Sequence, residues 1–164
     1  MAKTDFQIAV EFLECISAGQ YEEAVTHAHP MCTYHNGAMP YLDEGRFTSL
    51  MVRVVKAFPN FRLKCSPSGE VVNYQGTRVF FKVSVSGKMT GTLQPWAGKS
   101  DILPTMKSIK VRQGRGNVLV RNWVVVRAEI LEPGSLEILR SVDVVLPAPP
   151  KIDVFGRGSS TASV

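Results

Sequence analysis

Apolar residues recur with a helical period from Phe6 to Phe58, and with a period of two from Phe61 to Leu131. Phe6, Ala9, Val10, Leu13 and Ile16 form one stripe, the spacing of a helix face turned toward a core. Thr4 precedes Gln7 by three residues, which makes a capping box, and Gly19 supplies a C-terminal stop. A second, short helix is predicted from Tyr21 to about His27, closed by Pro30, with a strand over Met31–Asn36 that Gly37 breaks. Asp43 can cap a third helix whose stripe is Phe47, Leu50, Met51, Val54 and Phe58, and Pro59 ends it.

The pattern then changes. Phe61, Leu63 and Cys65 alternate with Arg62 and Lys64, the signature of a half-buried strand. EVVNY, a Gln-Gly turn and TRVFFKVSVSGKMTG read as a long hairpin in which Val79, Phe81, Val83 and Val85 share one face. QPWAGKSDILP (94–104) reads as a loop. MKSIKVRQ reads as a strand, GRG as a turn, and GNVLVRNWVVVRAEIL as the antiparallel partner strand. An amphipathic helix over Ser135–Val142 follows. Helices first and antiparallel strands afterwards is an α+β order. The helices are expected to cover the apolar face of a curved sheet and to leave a cavity at one end.

A chain of 164 residues can bury one proper core. Residues 1–146 are expected to form a single domain. The Pro/Gly/Ser-rich stretch 147–164 lacks periodicity and is expected to be a mobile tail. No apolar run reaches the length of a membrane span, and the N-terminus lacks the layout of a secretory signal. Cys15, Cys32 and Cys65 are odd in number and widely spaced, which fits reduced residues of a cytoplasmic protein. The net charge of +5 is uneven. Residues 1–50 carry two Lys/Arg against seven Asp/Glu, and the remainder seventeen against seven. The basic residues are scattered singly along strands, as on a solvated sheet face, which argues against a nucleic-acid partner.

In this order, several segments resemble the SnoaL-like polyketide cyclase branch of the nuclear transport factor 2-like (NTF2-like) superfamily. They are SAGQYEEAVTHAHP, TYHNG, LMVRVVKAFPNFRL, SGKMTGTL with LPTMKSIKV, and GRGNVLVRNWVVV. The resemblance runs from about Phe6 to Val142. It implies an NTF2-like cone, a curved antiparallel-rich sheet wrapped around N-terminal helices and enclosing a mostly apolar pocket. It also implies frequent homodimerisation through the sheet. Activities in the family include cyclisation, isomerisation and dehydration without a cofactor, alongside non-catalytic interaction and transport modules. The chain departs from the cyclase pattern around its tryptophan. Where those enzymes read Glu-His-Trp-Asp with a further aspartate, this sequence has Arg121, Asn122, Trp123 and Val124, and then Arg127.

Candidate chemistry follows from this placement. His35 is the candidate general base, because an imidazole titrates near neutrality. Arg127 and Tyr34 are candidates for stabilising a developing oxyanion next to a carbonyl. Arg121, Asn122, Trp123, Trp96, Tyr74 and Met51 are candidate ligand contacts for a hydrophobic, polyketide- or terpenoid-like molecule. Arg121, Trp123, Val125 and Arg127 share one face of their strand, because side chains alternate with period two. The resemblance favours that face toward the pocket, whereas the small apolar residues of the other face favour the reverse. The His27-x-His29 pair has no further ligand at metal spacing, so no metal and no cofactor is expected. The alternative function is a non-catalytic protein-interaction or transport module, which the missing strand carboxylates favour.

Overall fold

The computed structural model describes residues 2–37, 40–95 and 100–146, without the side chains of 111 and 112. Trp96 and the 147–164 tail lie outside the described residues. Helix α1 (Asp5–Ser17) begins as its sequence predicts. The Thr4 side chain accepts from the Gln7 backbone N–H, and the Gln7 side chain accepts from the Thr4 N–H. Its buried residues are Ala9, Phe12, Leu13, Cys15 and Ile16. Helix α2 (Tyr21–Ala24) continues into a single 3₁₀ turn, Val25–His27. Strand β1 (Ala28–Asn36) then leads to α3 (Glu44–Ala57), where Asp43 caps the Arg46 N–H. The remaining elements are β2 (Arg62–Asn73), β3 (Gly76–Lys88), β4 (Ser108–Arg121), β5 (Val124–Glu132) and α4 (Ser135–Ser141).

The five strands form one mixed sheet in the order β1-β5-β4-β3-β2. Only the β1–β5 pair is parallel. Strand β1 starts at Ala28, so Pro30 lies inside it rather than ahead of it. This is tolerated because β1 is an edge strand and its register shifts between Ala28 and Thr33. Strand β2 runs unbroken from the Leu63–Cys65 alternation to Val72, with a bulge between Pro67 and Gly69. The α+β cone predicted from the sequence is the observed fold. The sheet wraps one face around α1, and Val79, Val83, Val85, Val118, Val120 and Val125 of that face are essentially sealed from solvent. No helix of the described residues is long and apolar enough to cross a membrane.

The stretch Gly116–Leu131 is not one strand. It is a hairpin: β4 passes through the Gly-Arg-Gly segment without turning, and the turn falls at Asn122–Trp123. Both turn residues have positive φ, 51° and 63°, and Arg121 pairs with Val124. Two positive φ values in a two-residue loop match the right-handed twist of the flanking strands. The glycines of Gly-Arg-Gly answer to close approach instead. A Cβ on Gly114 would lie 1.9 Å from the Glu132 carbonyl oxygen, and one on Gly116 would lie 2.5 Å from the Phe81 ring.

Two outcomes follow. Trp123→Gly should raise stability by about 1 kcal/mol in chemical denaturation, because Trp123 is exposed and strained at left-handed φ. Gly114→Ala should lower it by about 2 kcal/mol, since the backbone of β5 must move to admit a methyl group.

Candidate functional site

The register of the sheet assigns every central side chain to a face. Tyr34, Ala128, Val118 and Val79 form one rung across β1, β5, β4 and β3 on the inner face. The next inner rung is Asn36, Ile130, Gly116 and Phe81. The outer face carries Thr33, Arg127, Leu119 and Arg78, and then His35, Glu129, Asn117 and Phe80. Tyr34 therefore points into the core, while its neighbour His35 points away from it.

On the inner side, Tyr34 is 5% exposed and stacks on Phe47 of α3, ring centroids 4.2 Å apart and planes 3° from parallel. Phe47 in turn meets Tyr21 of α2 edge-on at 6.2 Å. The Tyr34 hydroxyl is buried and meets no nitrogen or oxygen acceptor. Its one polar neighbour is the Cys32 sulfur, a weak acceptor, while the Cys32 thiol directs its own weak donor to the Thr33 carbonyl, at 3.8 Å. Burial pushes the Tyr34 phenol well above its usual range and the Cys32 thiol up to about 11. Both are therefore neutral, and Tyr34 is available as a donor and not as a base. Neither inner rung contains a histidine or a carboxylate. Asn36 is already committed, donating to the Pro133 carbonyl and accepting from Ser135.

Tyr21 also lines a surface cleft of about 560 Å³ between α2 and α3. Tyr21, Met51, Val52 and Val55 give it an apolar floor and wall, with Glu22 and Glu23 among its other residues. Met51, named from the sequence as a ligand contact, is 7% exposed and belongs both to this cleft and to the core. Burial pushes the Tyr21 phenol up to about 12, so it too stays neutral.

On the outer side, His35 Nε2 shares a hydrogen bond with Thr33 Oγ1 at 2.8 Å and faces the Tyr41 ring. Desolvation, and then the charge of Arg127, lower the His35 pKa from its ordinary value, with Glu129 opposing. Arg127 approaches Glu129 at 3.4 Å, and its Nε is buried without a partner. Arg78 donates to the buried Asn117 side chain at 2.6 Å. The structure thus brings His35 and Arg127 together but places Tyr34 on the opposite face. One ligand cannot touch all three through the intervening sheet.

The other candidates sit elsewhere. Tyr74, 95% exposed, caps the β2–β3 hairpin, and Arg121, Asn122 and Trp123 occupy the neighbouring β4–β5 tip. The Arg121 guanidinium donates to the Gln75 carbonyl at 2.7 Å, tying the two tips together. None of these four lines the inner face. The shared face expected for Arg121, Trp123 and Arg127 is lost because the chain reverses at Asn122–Trp123, so period two does not carry across it. His27 lies near Glu11, and His29 Nδ1 accepts from the Met31 N–H. Among the described residues, no group of three or more His, Cys, Asp or Glu side chains could hold a metal ion. Sequence reasoning missed Tyr21 and Phe47 as site residues. Their only signal was the helical spacing of Phe47 and Met51, which also describes ordinary core.

No family model matches the chain, and no curated protein matches it. Solved structures do. A proposed polyketide cyclase from Xanthomonas campestris pv. campestris superposes with a TM-score of 0.56 at 17% identity, covering 77% of this chain and 91% of that one. A proposed SnoaL-like polyketide cyclase from Jannaschia sp. CCS1 gives 0.58 at 11%, covering 90% and 99%. IdmH, a proposed polyketide cyclase from Streptomyces antibioticus, gives 0.58 at 13%, covering 87% and 100%. At these identities the likeness is one of fold. The chain therefore has the fold of the SnoaL-like branch of the NTF2-like superfamily.

Proposed function

We propose that this chain binds a hydrophobic small molecule inside the cone, between α3 and the inner face of β1. The observation that carries the reading is the buried hydroxyl of Tyr34, which meets no nitrogen or oxygen and has only the weakly accepting Cys32 sulfur beside it. A buried donor that meets only a thiol sulfur is under-satisfied, at a cost of up to about 1 kcal/mol, and a phenylalanine would fill the same space without that cost. A few polar groups in an aromatic and aliphatic lining are the makeup of a ligand pocket. The occupant is an apolar molecule with one acceptor oxygen. The polyketide cyclase descriptions of the structural neighbours favour a polyketide- or terpenoid-like carbonyl compound.

The chemistry open to such a ligand is limited. Tyr34 could hold a carbonyl or enolate oxygen. His35 cannot remove a proton from the same molecule, because alternate residues of a strand face opposite ways. Tyr34→Phe should raise the melting temperature of the free protein by several degrees, equivalent to about 1 kcal/mol. It should also reduce the thermal shift produced by hydrophobic carbonyl compounds that stabilise the parent chain. A destabilised Tyr34→Phe protein would overturn the reading, since the hydroxyl would then have a structural partner.

A separate observation favours a second role for the outer face. Phe80 stands 37% exposed there, on the rung of His35, Glu129 and Asn117. A second copy packed on this face would cover Phe80, giving a homodimer through the sheet. Sedimentation at micromolar concentration should then show a dimer that Phe80→Glu converts to monomer. A parent chain that sediments as a monomer at all concentrations would exclude this role.

A further inference from the structure

We infer that Phe47 is a gate, and that the stacked Phe47–Tyr34 pair occupies the place of a flat, ring-containing ligand with an acceptor oxygen. This rests on the small-molecule reading above and adds to it a route of entry, a class of ligand and the residue that controls both.

Three observations converge on Phe47. Its ring lies flat on Tyr34 and edge-on to Tyr21, and Tyr21 lines the α2–α3 cleft, so Phe47 joins the cleft wall to the Tyr34 ring. Tyr21 and Met51 line that cleft from the outside and are themselves buried in the core, so cleft and interior share a wall. The helix carrying Phe47 is lightly held. Only Met51 and Ala57 are fully buried among the residues of α3, whereas α1 buries five. Val52 and Val55 of α3 remain exposed on the cleft side. An element with few buried anchors is the one that opens at low cost.

The chemistry of the vacated place selects the ligand. When Phe47 swings outward, the surface it leaves is the face of the Tyr34 ring, and a planar ring system replaces it with the same offset-stacked contact. The Tyr34 hydroxyl is neutral and a donor, so it calls for a carbonyl or ether oxygen and not for an ammonium group. The Cys32 thiol, 1% exposed, becomes reachable in the same motion. The place vacated is that of one phenyl ring against Tyr34, and the α2–α3 cleft alongside leaves room for a further fused ring.

9-Fluorenone and fluorene make the test, being one ring system with and without an acceptor oxygen. Affinities are measured by calorimetry on the full chain and on Phe47→Ala, Phe47→Leu and Phe47→Ala/Tyr34→Phe. Cys32 modification by a thiol reagent is followed in a Cys15→Ser/Cys65→Ser background. Phe47→Ala should bind fluorenone about tenfold more tightly than the parent, with Phe47→Leu between the two. It should also speed Cys32 modification, and fluorenone should protect the thiol. Adding Tyr34→Phe should remove about tenfold of the fluorenone affinity while leaving that of fluorene unchanged. Binding that ignores residue 47 would overturn the gate while leaving the small-molecule reading intact. Equal loss for both compounds in the double variant would overturn the acceptor requirement. Failure of either compound to bind any of these proteins, each retaining a cooperative melting transition, would overturn the gate and the small-molecule reading together.

Discussion

The arrangement depends on one packing contact, the apolar stripe of α1 against the valine-rich inner face of β3 and β4. Phe12 and Leu13 on the helix, and Val79, Val83, Val118 and Val120 on the strands, are all within 2% of complete burial. Each side chain of this size buried contributes roughly 1.5–3 kcal/mol. Shifting a strand by one residue would turn its whole valine set outward. The contact therefore fixes the register of the sheet. Register in turn decides which residues of β1 and β5 face the helices and which face away. The separation of Tyr34 from His35 is a consequence of this register and not an independent feature.

Within that frame the cone is filled rather than hollow at the level of Tyr34. Aromatic rings occupy the space between α3 and β1, and the Tyr34 hydroxyl among them meets only the weakly accepting Cys32 sulfur. The arrangement is stable because stacking and burial of Phe47 and Tyr34 outweigh the under-satisfied hydroxyl. It is also replaceable, because another flat ring would make the same contacts and meet the donor as well. Stability of the empty state and capacity for a ligand draw on the same side chains.

The comparison with proposed cyclases of the same fold sharpens the contrast on the last two strands. The fold is retained at 11–17% identity in the structures compared. It needs only alternation, turn chemistry and a matched helix stripe, which many sequences satisfy. The acids that the cyclase pattern carries around its tryptophan are absent. The tryptophan itself stands at a hairpin tip, 63% exposed. A residue-by-residue transfer of chemistry along this segment fails because the segment turns where the pattern would have it run straight.

Local physics was enough for much of this. The capping box of α1, the Asp43 cap and the face shared by Val79, Phe81, Val83 and Val85 follow from neighbours within a few residues, and the structure has them all. The α+β order and the cone were legible for the same reason. Contacts distant in sequence decided the rest. Gly114 and Gly116 read as a turn, because a sequence does not show that the Glu132 and Glu129 carbonyls and the Phe81 ring pass too close for any side chain. Asn122–Trp123 read as strand, because only the pairing of Arg121 with Val124 makes it a turn. The meeting of Tyr34, Phe47 and Tyr21 joins three elements whose order along the chain says nothing of their distance. The sequence by itself determined which residues alternate and where helices begin. Tertiary structure alone decided which face became the inside, since burial belongs to the packed assembly of strands and helix and not to any one of them.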